Sequence, residues 1–329
     1  MFSWQKPSWD RWTQAAGKLP HAVLVHGGDG WGQLEFAQAL AQSLLCESPS
    51  SDRSACGRCP ACGWFSLGNH PDFRLVVPES MAADVEEEGA EPGKKKSDQI
   101  RVEQVRDLAD FLAVGTHRAG ARVILIYPAE AMNPNTQNAL LKNLEEPPPG
   151  TVFLLVTAQP DRLLPTVRSR CLKFPMAPPD AREALRWLKE QGVEDAEAAL
   201  AAFGGAPLAA LSGEESERDR LAFIEGLRRP GFDPIALAES VQRVPPWDLV
   251  GWLQRWSFDL LLARASGEVR YLLGQEKSVL EISQRCEPEK VAGYLRTLAQ
   301  ARALARHPLN PKLFVEDLLL QYQRLVGQP

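Results

Sequence analysis

The feature that most constrains the fold of this 329-residue chain is an apolar run that ends in a glycine-rich loop. Residues 22–25 are apolar, and four glycines fall between positions 27 and 32. The apolar run predicts a buried strand, and the glycines predict a turn directly after it. From residue 34 onward, apolar side chains recur at the spacing of one helix face, at Ala37, Ala41, Leu44 and Leu45. The chain is therefore predicted to open with a strand, a glycine loop and a helix.

The alternation of strands and helices continues up to residue 156. The sequence predicts further strands over 73–77, 123–126 and 152–156, a surface loop over 79–99, and helices over 102–112 and 134–144. Strands that alternate with helices and lack a period-two pattern are typical of a parallel sheet covered on both faces. The predicted fold class of this part is α/β.

The character of the sequence changes at a proline-rich segment, residues 174–179. No convincing strand follows this segment, and helical periodicity continues to the C-terminal end with a polar break at 213–216. Length alone favours about two domains. The periodicity divides the second part further, so the predicted domains are an α/β domain over 1–177, a small helical domain over 178–213 and a larger helical domain over 214–329.

The glycine loop matches only part of the phosphate-binding pattern G-x-x-x-x-G-K-[ST]. In that pattern, backbone N–H groups surround the phosphates, the lysine supplies positive charge and the hydroxyl binds magnesium. Gly27 and Gly32 keep the glycine spacing, but Gln33 stands at the lysine position and Leu34 at the hydroxyl position. The loop is predicted to keep the shape of a phosphate site without its charge, which leaves nucleotide binding open.

A hydrolytic site of this kind also needs an acidic pair at the end of a neighbouring strand, where it holds magnesium and orients water. The strand over 123–126 is followed by Tyr127 and Pro128, and the nearby Glu130 is expected to be a solvated turn residue. The lysine, the hydroxyl and both acids supply most of the electrostatic stabilisation that phosphoryl transfer requires. The sequence therefore argues against ATP hydrolysis by this chain.

Six cysteines are too few for a disulfide scaffold in a chain of this length. Four of them lie within seventeen residues and have the spacing of a metal site. Cys46, Cys56, Cys59 and Cys62 form the pattern C-x9-C-x2-C-x2-C. Four thiolates suit tetrahedral zinc, and a metal would stabilise a short segment that has no core of its own. An iron–sulfur cluster is the alternative, although ferredoxin patterns continue with C-x3-C-P and this chain does not.

Charge and hydropathy exclude some classes of protein. The chain has 37 basic and 42 acidic side chains and a net charge of −5, which disfavours a protein that coats nucleic acid on its own. No apolar run approaches the ~20 residues that span a bilayer, and the first residues lack the pattern of a signal peptide. We expect no membrane association and a cytoplasmic location.

Four segments together resemble the bacterial clamp loaders of the AAA+ class. They are residues 19–22 (LPHA), the altered glycine loop, residues 139–148 (ALLKNLEEPP) and residues 169–171 (SRC). The resemblance is strong over about 19–178 and weaker beyond, where 310–320 is similar to the last helix of the family's collar domain. It implies an AAA+ parallel-sheet domain with an inserted zinc module, then a small helical lid domain and an all-α collar domain.

The resemblance also assigns roles to residues. In this family, the arginine of the Ser-Arg-Cys triplet, here Arg170, reaches into a neighbouring subunit and stabilises charge on the transferring phosphate of bound ATP. The alternative is an arginine that pairs with a carboxylate of its own domain. Cys171 is expected to pack below Arg170, and Thr157 stands at the family's first sensor position. Four-cysteine zinc modules are a feature of the family, which supports structural zinc at the cysteines.

The family contains ATPase subunits and a class of subunits that often lack the lysine and the acidic pair, and this sequence falls on the inactive side. The implied function is a non-hydrolysing, stator-like subunit that supports ATP-dependent loading of a sliding clamp onto primed DNA. Its implied partners are gamma/tau-type ATPase subunits, which would bind the ATP, and a delta subunit. The alternatives are an active AAA+ ATPase with altered residues, and a zinc-dependent nucleic-acid-binding module, which the net charge and the acidic residues 86–88 disfavour.

Overall fold

A computed structural model describes residues 1–15, 20–82, 96–114, 116, 120–305 and 310–327. The chain divides into two compact units, Met1–Asp180 and Ala181–Pro329. Two features of the sequence lie outside the described residues, namely Leu19 of the LPHA segment and most of the predicted loop over 79–99, including the acidic residues 86–88. The predicted division of the second part at residue 214 stays a prediction.

A parallel sheet of five strands forms the centre of the first unit, in the order β2-β3-β4-β1-β5. The strands are β1 Ala22–His26, β2 Phe73–Val76, β3 Arg122–Ile126, β4 Thr151–Thr157 and β5 Leu172–Pro175. Val25 of β1 is paired with Val156 on one side and with Phe174 on the other. Four of these strands are as predicted, and the α/β fold class is confirmed.

Strand β5 corrects the sequence analysis, which placed residues 174 and 175 in a linker. The strand has only four residues, and Phe174 is the only buried one. It lies at the edge of the sheet, where proline is tolerated because no further strand needs its missing N–H. A strand this short with one inward side chain has no periodicity that sequence analysis can detect.

Helices cover both faces of the sheet, and side chains alternate between the two faces along each strand. The helices of this unit are α1 Lys6–Ala15, α2 Gln33–Leu45, α3 Pro60–Ser66, α4 Val102–Arg106, α5 Leu108–Ala113, α6 Pro134–Glu145 and α7 Pro165–Arg168. One face packs Leu24, Ile124 and Phe153 with residues of α4 to α7. The other face packs Val25 and Leu154 with residues of α1 and α2. Because both faces are buried, the strands show continuous apolar runs.

Helix α6 begins as predicted. Asn133 caps it, since its side chain accepts a hydrogen bond from the Thr136 N–H at 3.0 Å, and Pro134 occupies the first helical position. The predicted helix over 102–112 is divided at Asp107 into α4 and α5. Helix α1 was not predicted. Its Trp9 is buried and meets Phe36 of α2 edge to face, with ring centroids 6.1 Å apart.

The second unit contains helices and no strand over residues 181–305 and 310–327. The helices are α8 Ala181–Glu190, α9 Ala196–Ala202, α10 Pro207–Ser212, α11 Glu214–Arg228, α12 Pro234–Ser240, α13 Pro246–Ser266, α14 Glu276–Ser283, α15 Pro288–Leu304 and α16 Pro311–Leu325. One apolar cluster joins α8 to α10 and another joins α11 to α16. Within the second cluster, the buried Trp256 donates a hydrogen bond from Nε1 to the Tyr322 hydroxyl at 2.8 Å. Among the described residues, no helix is both long and apolar enough to cross a membrane.

Candidate functional site

The glycine loop between β1 and α2 is filled by a side chain of the loop itself. The indole of Trp31 lies over the first two glycines, and a Cβ atom added to Gly28 would be only 2.4 Å from Trp31 Cε2. Gly32 caps α2 with φ +88°, a left-handed conformation that favours glycine. The glycine spacing is therefore retained for backbone shape, while the indole occupies space beside the loop.

Gln33, at the lysine position of the phosphate-binding pattern, does not extend away from the loop. Its side chain is buried, and Nε2 donates a hydrogen bond to the Gly28 carbonyl at 2.6 Å. Leu34, at the hydroxyl position, packs against the apolar core between α2 and the sheet. The two residues that replace the phosphate-binding side chains are thus used to hold the loop and the core together.

Residues before α1 cover the loop from outside, which the sequence analysis missed. Gln5 Nε2 donates a hydrogen bond to the Gly32 carbonyl at 2.6 Å, and Trp4 Nε1 donates one to the Trp31 carbonyl at 3.0 Å. Phe2 stacks on Trp4 with ring centroids 4.5 Å apart. Neither Gln5 nor Trp4 belongs to a motif, so no local signal in the sequence indicated these contacts.

Negative charge surrounds the end of β3 beside this loop. Burial, and to a smaller extent the carboxylates of Asp29, Glu35 and Glu130, together raise the pKa of Tyr127 to about 12. These three acids are therefore close enough to act electrostatically on the position where a catalytic acid would stand. A phosphate group brought to this place would meet like charge instead of a lysine.

Glu130 corrects the prediction of a solvated turn residue. It lies in a short 3-10 turn, Ala129–Ala131, and only 8% of it is exposed. Oε1 accepts a hydrogen bond from the Ala158 N–H at 3.2 Å, whereas Oε2 has no partner among the described residues. The turn directs the side chain inward, so Glu130 connects the end of β3 to the end of β4. The neighbouring Thr157, at the sensor position, is buried and accepts a hydrogen bond from the Gln159 N–H at 2.9 Å.

The four clustered cysteines come together after α2. The sulfur atoms of Cys46, Cys56, Cys59 and Cys62 all lie within 4.8 Å of one another, and the Cys46 and Cys59 sulfurs are 3.9 Å apart. A tetrahedron with metal–sulfur bonds of about 2.3 Å has edges of about 3.8 Å. The cluster therefore has the composition and the dimensions of a four-thiolate metal site.

The backbone around the cluster is folded to hold the sulfurs. The segment, for which no core of its own is predicted, contains α3, with Pro60 in its first turn. The Cys62 N–H lies 3.5 Å from Cys59 Sγ, and the Cys56 N–H lies 3.3 Å from Cys46 Sγ. Hydrogen bonds of this type orient metal ligands and favour their charged form.

The thiols of the cluster differ in acidity. The backbone N–H groups of Arg58 and Cys59 lower the pKa of Cys56 to about 6. Burial opposes ionisation of Cys59, yet N–H donors, chiefly that of Cys62, lower its pKa overall. Burial raises the pKa of Cys62 to about 12. The surrounding N–H groups thus make Cys56 and Cys59 easier to ionise than a free thiol before any cation is considered, and a bound cation would favour the charged form of all four sulfurs.

Arg170 is the middle residue of the short segment between α7 and β5 and is half-buried. Its Nη2 atom is 2.5 Å from Glu145 Oε1, and Nη1 donates a hydrogen bond to the Thr166 carbonyl at 2.9 Å. The pairing with a carboxylate of the same unit, which the sequence analysis held as the alternative, is therefore present in this chain. Cys171 is buried, and burial raises the pKa of its thiol to about 11.

The structure thus separates the predicted site residues into three places. The glycine loop and the cysteines lie at opposite ends of α2, which has 13 residues and is therefore about 20 Å long. Arg170 belongs to a different connection, after α7. Gln5 and Trp4 belong with the glycine loop although no sequence pattern assigned them to it.

Comparison with known proteins places this arrangement in a family. The profile of a family described as "DNA polymerase III, delta subunit" matches residues 6–180. A Pseudomonas aeruginosa protein named "DNA polymerase III subunit delta'" is 36% identical over 99% of this chain and 98% of its own length. An Escherichia coli protein with the same name is 28% identical over 98% of this chain and 95% of its own length.

Among solved structures, a DNA polymerase III gamma subunit-related protein from Thermotoga maritima covers 98% of this chain and 99% of its own, with 18% identity and a TM-score of 0.45. The assignment rests on the sequence relatives, whose match extends over the glycine loop, the cysteines, Arg170 and both units. The chain belongs to the family of DNA polymerase III delta-prime subunits.

Proposed function

We propose that this chain is a non-hydrolysing, stator-like subunit of a DNA polymerase III clamp-loader complex. In this role it holds gamma/tau-type ATPase subunits and a delta subunit together and donates Arg170 to a neighbouring ATP site. The complex then loads a sliding clamp onto primed DNA, in the cytoplasm. The observation that carries the proposal is the filled glycine loop, in which the Trp31 indole lies over Gly27 and Gly28, and Gln33, at the lysine position, is bound to the Gly28 carbonyl.

The absence of hydrolysis follows from electrostatics. Phosphoryl transfer needs positive charge and aligned donors around the transferred group, and this stabilisation is usually the largest catalytic contribution. Here Gln33 replaces the lysine and is bound to Gly28, and three carboxylates act on Tyr127 at the end of β3. The same features disfavour the alternative of an active AAA+ ATPase.

The pairing of Arg170 with Glu145 is compatible with a role in trans. The arginine side chain is 34% exposed and the glutamate side chain 47%, and ion pairs in such surroundings contribute only about 0–1 kcal/mol. The polyphosphate of ATP carries more negative charge than one carboxylate, so it can compete for the guanidinium. Glu145 then holds Arg170 in place when no nucleotide faces it.

The four cysteines are proposed to hold structural zinc. Four thiolates leave no open coordination position for water, so the metal would stabilise the segment after α2 rather than catalyse a reaction. Zinc bound there would favour all four sulfurs as thiolates and fix the positions of Cys59 and Cys62 at the start of α3.

The test of the proposal compares two arginines in the complex reconstituted with the partner ATPase and delta subunits. Arg170→Ala is expected to leave assembly intact and to lower turnover at the neighbouring ATP site by at least about tenfold, since arginine fingers contribute about 10³–10⁵ in related enzymes. Arg168→Ala is the matched control, because Arg168 lies two residues away and pairs with Asp161 on the surface. Unchanged turnover in Arg170→Ala would contradict the finger.

Titration of the isolated chain with fluorescent ATP and magnesium tests the other half of the proposal. The filled loop predicts no saturable binding. Saturable binding accompanied by phosphate release would overturn the non-hydrolysing role and favour the active ATPase.

A further inference from the structure

Arg170 lies just after α7, a helix of only four residues. The Arg170 N–H donates a hydrogen bond to the Val167 carbonyl at 3.1 Å, so the turn of α7 continues to the arginine. A single helical turn is not stable by itself, because its formation fixes several residues for very few hydrogen bonds. The position of Arg170 therefore depends on the groups that hold α7 in place.

A side chain of α6, Gln137, is bonded to the start of α7. Its Oε1 atom accepts a hydrogen bond at 2.7 Å from the N–H of Leu164, the residue directly before α7. Its Nε2 atom donates to the Met132 carbonyl at 2.8 Å and to the Arg162 carbonyl at 3.4 Å. One amide thus links the chain before α6 to the chain before α7.

The burial of Gln137 makes these hydrogen bonds depend on an amide. Only 2% of the residue is exposed. A glutamine side chain offers both an acceptor and donors, and both are used here. An apolar side chain of the same size would fill the space but would leave the Leu164 N–H without this partner. The chain before α7 would then have to shift for that N–H to find another acceptor.

Helix α6 contacts the same segment a second time, at the arginine itself. Oε1 of Glu145, the last residue of α6, lies 2.5 Å from Arg170 Nη2. Gln137 and Glu145 are eight positions apart, which is about 12 Å along a helix. Gln137 fixes the backbone before α7 and Glu145 contacts the guanidinium after it, so the placement of Arg170 is set from α6 at two points.

Apolar packing also holds α7 and provides the competing explanation. The buried Val167 of α7 belongs to the same apolar cluster as Leu140 and Leu144 of α6. Apolar contacts are not directional, whereas hydrogen bonds require defined distances and angles. The packing therefore keeps α7 against α6, and the amide of Gln137 determines where along α6 the turn begins.

We propose that Gln137 is a positioning residue for Arg170. Its amide fixes the start of α7, and thereby the place from which the guanidinium reaches the ATP of a neighbouring subunit. A misplacement of about 1 Å, caused by a change far from the reacting atoms, can lower a rate about 10²-fold. The inference rests on the proposed role of Arg170 in trans.

The test measures ATP turnover in the complex reconstituted with the partner ATPase and delta subunits. Gln137→Met keeps most of the side-chain volume and removes the three hydrogen bonds. It is expected to lower kcat at the neighbouring ATP site at least about fivefold, with KM for ATP and the affinity of assembly unchanged, because a group used only in the transition state acts on kcat. Asn135→Met is the matched control, since Asn135 is an exposed amide two residues away on the same helix.

A double variant distinguishes positioning from a general structural role. In the Arg170→Ala background, Gln137→Met is expected to cause no further loss of turnover, because its effect passes through the arginine. Gln137→Ala leaves room for a water molecule in place of the amide. It is measured in the same two backgrounds and covers the case in which Gln137→Met does not fold.

The outcomes also separate this inference from the proposed function. If Arg170→Ala lowers turnover and neither Gln137 variant does, only the positioning role is overturned. The positioning role is overturned as well if a Gln137 variant weakens assembly, or lowers turnover equally in both backgrounds. If Arg170→Ala leaves turnover unchanged, the role of Arg170 in trans fails, and this inference fails with it.

Discussion

The two ends of α2 carry sites that have retained different parts of their chemistry. At its start, the glycine loop keeps the spacing and the left-handed Gly32 of a phosphate site, but protein side chains occupy it. At its end, the cysteine cluster keeps all four donor atoms within 4.8 Å. The spacing of glycines indicates only the conformation of the backbone, whereas the ligand side chains indicate which group can be bound. A motif therefore indicates binding only when the side chains that contact the ligand are present.

The largest expected effect comes from breaking the cluster that has kept its donors. Cys59→Ala removes one of four ligands, and structural zinc contributes about 10–16 kcal/mol to the folding of small metal domains. We expect loss of stoichiometric zinc and rapid proteolysis between residues 46 and 66, with the remainder of the first unit intact. Metal analysis and limited proteolysis measure both effects.

The matched control for that experiment is Cys286→Ala. Cys286 is a free thiol too, but it is buried in the second unit and lies outside the cluster. Its substitution should leave the zinc content unchanged. Iron and visible absorbance in the unmodified chain would contradict zinc, and wild-type zinc content in Cys59→Ala would contradict the four-cysteine site.

The second largest effect is expected at the glycine loop, at the other end of α2. Restoring the motif with Gln33→Lys and Leu34→Thr is expected not to restore nucleotide binding, because the Trp31 indole still lies over Gly27 and Gly28. Adding Trp31→Ala removes the indole and should tighten binding of fluorescent ATP at least about tenfold. The reason is that positive charge and N–H donors stabilise a phosphate strongly in a site from which water is excluded. Equal binding by the double and triple variants would show that the indole does not block the loop.

Much of the fold was predictable because its signals are local. The apolar runs of β1, β3 and β4, and the Asn133-Pro134 start of α6, carry their causes within a few residues. The cysteine cluster was predictable for the same reason, since three of its ligands, Cys56, Cys59 and Cys62, follow one another at intervals of three positions. Its geometry then depended on α3, which the pattern did not indicate.

The features that sequence analysis missed depend on contacts between distant residues. Gln5 meets Gly32 across 27 positions of the chain, and Glu130 meets Ala158 across 28. The edge strand β5 is defined by its pairing with β1 and not by its own four residues. Spacing within a segment cannot report such contacts, so the filling of the glycine loop could not be deduced from its motif.

The smallest effect concerns Glu130, which connects the two strand ends beside the loop. Glu130→Ala leaves the Ala158 N–H without its partner, and an unsatisfied buried donor costs about 1–3 kcal/mol. Glu130→Gln keeps an oxygen for that hydrogen bond and removes a buried charge, so we expect its free energy of unfolding to stay near that of the unmodified chain. Denaturant unfolding of the two variants measures the difference.

Exposed Glu103 on α4 supplies the control, since Glu103→Ala should change the free energy of unfolding by no more than about 0.5 kcal/mol. If Glu130→Ala were equally neutral, the hydrogen bond to Ala158 would have no structural value. If Glu130→Gln were as destabilising as Glu130→Ala, the negative charge itself would be required. In that case the negative charge of Glu130 would itself stabilise the fold beside the glycine loop. The presence of acids where a phosphate site has positive charge would then have a structural role in this chain.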